Sequence, residues 1–385
     1  MRSGLGRQPW EVLPGQLALQ RVEMPFRMTL LTRDAFRERV FARDRSRCVL
    51  CGNPGQDAHH ILDRRLWPDG GYYLDNGATV CGPCHLRCER TEVTVEQVRE
   101  AARIQTVRVP DYLHAEAVID KWGNPYLPNG RRALGPLGFE DSVRRILQPV
   151  WHEFTSRVKP PRTLHLPWSP CADADDRFVR PQDLDWLRAR EVVVLEKLDG
   201  ENTTLGPEAD YLHARSIDGY ARHPSRSRMR ARHASLWRDI PPEFRVCGEN
   251  VDALHSVEYH DLCADDGTPD RFFVFSVWDR DQALGWDETA LYARLLGLQP
   301  IPELYRGPFD EAILRGLTTQ AALRGARRSG SQDPSEGYVV RPLGPFRLTD
   351  FPRAVLKCRV LGVTSPDHWT QHYTPNCVRG ECEHR

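Results

Sequence analysis

The chain has 385 residues, of which 40% are hydrophobic and 28% charged, a composition that suits two or three globular domains. Its 53 basic and 53 acidic side chains cancel, so a uniformly basic surface is excluded and any contact with nucleic acid must rest on local patches. No apolar run reaches membrane-spanning length, no signal-peptide core opens the chain, and 11 cysteines in this length argue against a disulfide scaffold, so the expectation is a cytoplasmic protein without a membrane partner.

Residues 1–29 carry little pattern and read as an N-terminal arm. Residues 30–105 form a Cys/His-rich unit that opens on a basic run, Arg33, Arg37, Arg39, Arg43, Arg45 and Arg47. Inside it stand Cys48-x-x-Cys51, His59-His60, Asn76 and Cys81-x-x-Cys84-His85. Thiolates in two such knuckles fit a tetrahedral structural zinc, and a small unit with little core needs a clip of that kind. Residues 106–160 read as a helical connector, with turn signals at Gly123-Asn124-Pro125 and Pro128-Asn129-Gly130 and then a helix carrying Val143, Ile146, Leu147 and Val150 on one face. Pro160-Pro161 marks a boundary. Residues 161–376 mix strand and helix patterns without a regular βαβ repeat, which predicts an α+β domain of antiparallel sheets flanked by helices. Strands are expected at 192–195, 244–247, 272–278, 338–341 and 354–358, with a helix at 286–298. The tail, 377–385, holds Cys377, Cys382 and His384 and is given no role.

The run Val192-Val193-Val194-Leu195 ends at Glu196-Lys197-Leu198-Asp199-Gly200. It reads as a strand that delivers a partly buried lysine to a pocket and then turns. Burial disfavours the ammonium form, so a lowered pKa and a nucleophilic amine are expected; the bland alternative is a surface lysine at a strand end. Downstream come Arg215 in His213-Ala214-Arg215-Ser216, Glu249 at the end of a strand, Phe275 in an aromatic strand, Glu336 entering a strand, and Val355-Leu356-Lys357-Cys358-Arg359. A two-residue period puts Lys357 and Arg359 on one face. Taken singly, Glu249 could be a cap, Phe275 core and Glu336 a surface charge.

In this order the segments resemble the covalent nucleotidyltransferases, above all the ATP-dependent RNA ligases of the second bacteriophage T4 type, over roughly residues 162–376. His165-Leu166-Pro167-Trp168-Ser169-Pro170 and Asp175-Asp176 are similar to a bacterial branch of that family. The resemblance implies a ligase-type nucleotidyltransferase fold, unrelated to ATP-grasp, and chemistry in three steps. Lys197 takes AMP from ATP, AMP passes to a 5′-phosphate, and a 3′-hydroxyl displaces it. It further implies Glu249 on the ribose, Phe275 on adenine, Glu336 near a Mg²⁺ or Mn²⁺ ion, and Arg215, Lys357 and Arg359 on the phosphates. Glu196 and Asp199 would orient the lysine or the metal. The partner would be RNA ends or nicks, RNA–DNA hybrids included. Too little chain follows Arg359 for the OB-fold of DNA ligases and capping enzymes, so RNA sealing is expected ahead of either. No phosphate-cradling Gly-rich kinase loop is visible, so the ends must already carry 5′-phosphate and 3′-hydroxyl.

Residues 33–90 resemble the HNH endonucleases, whose ββα-metal fold surrounds one divalent ion. The resemblance implies His60 as general base, His59 and His85 as ligands of the catalytic metal, Asn76 orienting the base or its loop, and Cys48, Cys51, Cys81 and Cys84 on structural zinc. The substrate would be DNA or RNA. The alternative is a zinc-stabilised unit that binds nucleic acid without cutting it. Together the two resemblances predict a nuclease module joined to an RNA ligase, for processing or repair.

Overall fold

The structure is a computed structural model that describes residues 29–105, 109–110, 113, 118–127, 130–173, 176–215, 223–362 and 373–381. The expected arm up to residue 28, Pro128, Asn129, Asp175, Ser216, Cys382 and His384 lie outside the described residues.

The N-terminal unit begins with α1 (Arg33–Arg43), where the Thr32 hydroxyl accepts a hydrogen bond from the Ala35 N–H at 3.3 Å and Phe36 and Val40 turn inward. β1 (Asp57–His60) and β2 (Gly77–Val80) pair antiparallel, with His59 opposite Ala78 and His60 opposite Gly77. α2 (Gly82–Glu89) follows β2 at once, and α3 (Val95–Ala101) starts at a Thr94/Gln97 capping box. The chain continues through β3 (Arg132–Leu134), α4 (Asp141–Leu147) and β4 (Phe154–Val158), with β3 and β4 parallel. The expected helical connector is thus mostly not helical: α4 is its one α-helix among the described residues. Nor does it stand apart, because Trp122, Leu134, Leu137, Val143 and Phe154 share one apolar core with Ile61, Leu66, Val95 and Val98. The Cys/His unit is too short to bury its apolar residues alone, and the following segment closes over them.

The second half contains β5 (Leu164–His165), α5 (Asp185–Arg188), β6 (Glu191–Lys197), β7 (Glu201–Leu205), β8 (Leu212–Ala214), α6 (Ser227–Leu236), β9 (Phe244–Asn250), β10 (Phe272–Asp279) and β11 (Gln282–Ala283). There follow α7 (Trp286–Leu295), β12 (Gln299–Pro300), β13 (Glu303–Pro308), α8 (Glu311–Gly316), α9 (Gln320–Ala326), β14 (Gly337–Pro342), β15 (Phe346–Arg347), α10 (Phe351–Ala354) and β16 (Leu356–Arg359). They build two sheets, one in the order β15-β11-β10-β9-β7-β8 with β12 beside β10, the other β13-β6-β14-β16-β5. The mixed α+β class with antiparallel sheets is as expected, β12 and β5 being the parallel additions. No helix among the described residues is long and apolar enough to cross a membrane.

β6 is central and buried on both faces. Val192 and Val194 join Tyr338, Val340, Leu356 and Cys358 in one core, while Val193 and Leu195 join Phe273, Trp286 and Ile301 in another. Each such side chain contributes about 1.5–3 kcal/mol relative to exposure. Two expected boundaries shift for local reasons. Pro352 sits in the first turn of α10, so β16 starts at Leu356 and not at 354. Gly297, at φ +67°, stops α7 before 298 and lets β12 begin. The tail also packs where it is described: Val378 joins the second of those cores, and Cys377 is buried and disulfide-bonded, its N–H donating to the Tyr259 carbonyl at 3.0 Å. The reading of this stretch as without a role is corrected, because it pins the loop after β9.

Gly337 lies where β14 passes between β6 and β16. Its φ is +153°, and a Cβ there would stand 1.9 Å from the Cys358 carbonyl oxygen. Gly337→Ala should therefore cost about 2–3 kcal/mol, read as a lower urea midpoint; an unchanged midpoint would contradict this packing.

Candidate active site and metal centres

The two sheets face each other across a cavity of about 740 Å³. Which side chains reach it follows from the two-residue period. On β6, Leu195 and Lys197 face the cavity; on β9, Arg245, Cys247 and Glu249; on β14, Val339 and Arg341; on β16, Lys357. Phe275 reaches it from an irregularity in β10, where the register with β9 shifts between Val274 and Ser276. Arg215, just past β8, lines it as well.

The Lys197 amine donates to Glu336 Oε2 at 2.5 Å, and Glu336 Oε1 lies 3.2 Å from Arg359 Nε. The pairing Lys197↔Gly337↔Arg359 across three strands brings these groups together. Burial lowers the Lys197 pKa, but attraction to Glu336 and Glu249 outweighs it and raises the amine above its ordinary value. The expected depression is therefore not found: the resting lysine is an ammonium. Burial pushes the Glu249 carboxyl up to about 8 against the pull of Lys197. Lys357 shows the shift expected of Lys197, since burial brings it down to about 8, with Lys197 and Arg359 adding to the shift and Asp176 opposing it.

Two expected site residues turn elsewhere. Glu196 has the opposite parity to Lys197, so its carboxylate enters the far side of the sheet and pairs with Arg327. The Asp199 carboxylate accepts the Ser256 and Val257 N–H groups at 2.7 and 2.8 Å, while its own N–H donates to the Tyr259 hydroxyl at 2.7 Å. Both brace the loop around the lysine, and neither carboxylate touches the amine. Tyr259 and Asp176 escaped the sequence reading as site residues. Asp176 is buried against Lys357, Arg162, His165 and Arg359.

In the N-terminal unit, Cys48, Cys51, Cys81 and Cys84 bring their sulfurs within 4.8 Å of one another, and none is in a disulfide. That donor set fits zinc. A second cluster joins His59, His85 and Glu89. Glu89 Oε1 lies 3.1 Å from His85 Nε2 and 3.5 Å from His59 Nδ1, and this buried Nδ1 has no hydrogen-bond partner, as an atom placed for a metal would have none. Glu89 was missed, although its place four residues after His85 on one helix was the available signal. His60 is not among the residues of this cluster. Its ring stacks on Phe36 at 4.6 Å and meets Tyr72 edge-on at 5.1 Å. Asn76 is buried; its side chain accepts from the Leu62 N–H and donates to the Leu62 and Gly71 carbonyls, so it holds the loop between β1 and β2.

The cleft thus holds a lysine ammonium beside two acids, with Arg215, Arg341 and Lys357 among the cations that line it. Residues 190–359 match the family described as RNA ligase. No curated protein matches the chain. Among solved structures, a Naegleria gruberi RNA ligase mutant with ATP and Mn is 14% identical over 46% of this chain and 51% of that one, with TM-score 0.32. Two forms of an archaeal ATP-dependent RNA ligase are 17% and 16% identical, over 53% and 72% of this chain and 48% and 64% of theirs, with TM-scores 0.36 and 0.37. The chain spans about half the length of the first two of these, and similarity at that level establishes neither a shared fold nor a shared activity.

The two cleft lysines have similar exposure, 20% for Lys197 and 16% for Lys357. At pH 8 a trace of amine acylating reagent should label Lys357 at least about tenfold faster than Lys197, because only the former is substantially neutral there. Glu336→Gln should speed Lys197. Peptide mass spectrometry reads both rates, and Lys197 reacting first would refute the ion pair.

Proposed function

We propose that this chain is an ATP-dependent RNA ligase that works through a lysyl-AMP intermediate at Lys197, with an N-terminal HNH-type nuclease module. One observation carries the ligase reading: within the stretch matching the RNA ligase family, Lys197, whose amine is paired with Glu336, lines one cavity together with Glu249, Phe275, Arg215 and Lys357.

Phe275 and Val339 offer apolar surface to adenine from opposite sheets, and Glu249 offers a carboxylate to the ribose hydroxyls. Lys197 first gives up a proton, for which Glu336 Oε2 is the nearest acceptor. The amine nitrogen then forms a bond to the α-phosphorus while the bond to the bridging oxygen breaks. Pyrophosphate leaves with that electron pair, and loss of a second amine proton leaves the phosphoramidate. A 5′-phosphate oxygen next displaces the lysine nitrogen, and finally a 3′-hydroxyl displaces AMP. Every step moves charge onto phosphate oxygens, which Lys357 and Arg215 are placed to offset. A Mg²⁺ or Mn²⁺ ion on Glu336 or Glu249 would supply further positive charge there.

For the N-terminal unit, the β1-β2-α2 order and the His59–His85–Glu89 cluster support a ββα metal site beside the four-cysteine zinc site. The ion would polarise the scissile phosphodiester, and His60, whose neutral form is favoured by burial, would take the water proton. The packing of His60 between Phe36 and Tyr72 favours a second reading, a zinc-stabilised module that binds nucleic acid and cuts nothing.

With α-labelled ATP and Mg²⁺, label should stay on the denatured protein and be absent from Lys197→Ala; an unlabelled wild-type chain would end the ligase reading. In a second assay, His60→Ala should lower metal-dependent phosphodiester cleavage by roughly 10²–10⁴-fold with bound zinc unchanged. Equal cleavage, or none in either protein, would leave the binding module as the answer.

A further inference from the structure

We propose that Arg162 is a further phosphate contact in the Lys197 cavity, serving the departing pyrophosphate, and that Asp176 is the positioning residue that holds it beside Lys357. The inference rests on the reading of Lys197 as the adenylylated group. Both residues lie ahead of the stretch that matches the RNA ligase family, residues 190–359.

The backbone sets the placement. Pro160-Pro161 keeps the incoming chain extended, and both prolines line the cavity. β5 then runs parallel to β16, with Leu164 beside Leu356 and His165 beside Lys357. Arg162, two residues before β5, therefore arrives on the same wall as Lys357, and both line the cavity.

Asp176 joins them. Its Oδ1 accepts from Arg162 Nη2 at 3.2 Å and from the Lys357 amine at 3.3 Å. Its Oδ2 lies 3.0 Å from His165 Nε2 and 3.4 Å from Arg359 Nη1. A carboxylate whose side chain is only 5% exposed is thus surrounded by nitrogen donors, and one of its oxygens fixes both cavity cations at once. One buried acid cannot neutralise Arg162, Lys357 and Arg359 together. Arg359 has Glu336 and Asp173 as further partners, whereas Arg162 and Lys357 have no other carboxylate partner among the described residues. Among the described residues only Nη2 of the Arg162 guanidinium is engaged, which leaves Nη1 and Nε for a ligand. A wall with two aligned cations and surplus positive charge suits a polyanion. Among the species in the reaction, pyrophosphate gains the most charge as the α-phosphorus bond breaks. The 5′-phosphate of the RNA strand is the competing occupant.

The test separates the partial reactions, using the full chain and the Arg162→Ala, Arg162→Lys and Asp176→Asn variants. Wild-type protein carrying labelled AMP discharges it when pyrophosphate is added. The pyrophosphate concentration for half-maximal discharge should rise roughly tenfold or more in Arg162→Ala, as loss of one charge-assisted bond implies, with partial rescue in Arg162→Lys. Asp176→Asn should shift it in the same direction. The final step, sealing of RNA supplied with a ready-made 5′-adenylate and no ATP, should keep its KM for the RNA. If that KM rises as much as the pyrophosphate requirement, Arg162 serves the RNA phosphate and the proposal is wrong. If neither moves in variants that melt like the wild type, Arg162 is a structural partner of Asp176 and the proposal is equally wrong. A wild-type chain that never takes label would instead overturn the adenylylation reading beneath it.

Discussion

The ion pair between Lys197 and Glu336 is the constraint around which the cleft is built. A strand whose preceding residues are fully buried ends in a cation, and a cation at that depth is tolerated only beside an acid. Glu336 immediately precedes the neighbouring strand, and its other oxygen reaches Arg359 on the strand beyond, so one carboxylate ties β6, the start of β14 and β16 at the same level. The pair also holds the Lys197 amine in its protonated, non-nucleophilic form. Any event that draws Glu336 off the amine, or brings positive charge close to it, lowers the lysine pKa and frees the nitrogen. A resting ammonium is therefore compatible with nucleophilic chemistry, and it makes the nitrogen's reactivity conditional on what enters the cavity.

The two halves of the chain are mechanically continuous. The core holding Ile61, Trp122 and Phe154 ends at Val158, and the next residues, Pro160 to Thr163, line the cleft. Arg180 lies 3.5 Å from Asp69, and Phe139 of the first half lies under Arg245 of the second. The segment between residues 118 and 158 thus completes the N-terminal core and positions one wall of the other site.

Much of this was legible in the sequence, and the failures have physical causes. The run 192–195 announces a buried central strand, and the order of Lys197, Glu249, Phe275, Glu336 and Lys357 announces one pocket. The alternation rule also carries information about Glu196: a residue adjacent to Lys197 on a strand must point to the opposite face, and it does, toward Arg327. Asp199 escapes that rule because it lies in the turn beyond β6, where backbone N–H groups that need an acceptor claim its carboxylate. The direction of the lysine shift is not legible because burial can be read from the strand, while the facing acids are 52 and 139 residues away in the chain. The 106–160 segment reads as helical from one good amphipathic turn. A core shared across such a separation leaves no periodic signal to read.

Charge also distinguishes the two candidate metal centres. At the four-cysteine cluster the ligands would be thiolates, whose negative charge a zinc ion would compensate directly. At the His59–His85–Glu89 cluster a buried lysine is already in place: the Lys121 amine lies 3.2 Å from Glu89 Oε1 and donates to the His60 carbonyl at 2.8 Å. Glu89 therefore has a cationic partner before any metal arrives, and an incoming ion must share that carboxylate with an ammonium that repels it. Four thiolates at that spacing repel one another without an ion, so the closed arrangement of the first cluster would depend on one. At the second, Lys121 already lies against Glu89, so the packing around His59 and His85 does not depend on an ion for its charge balance.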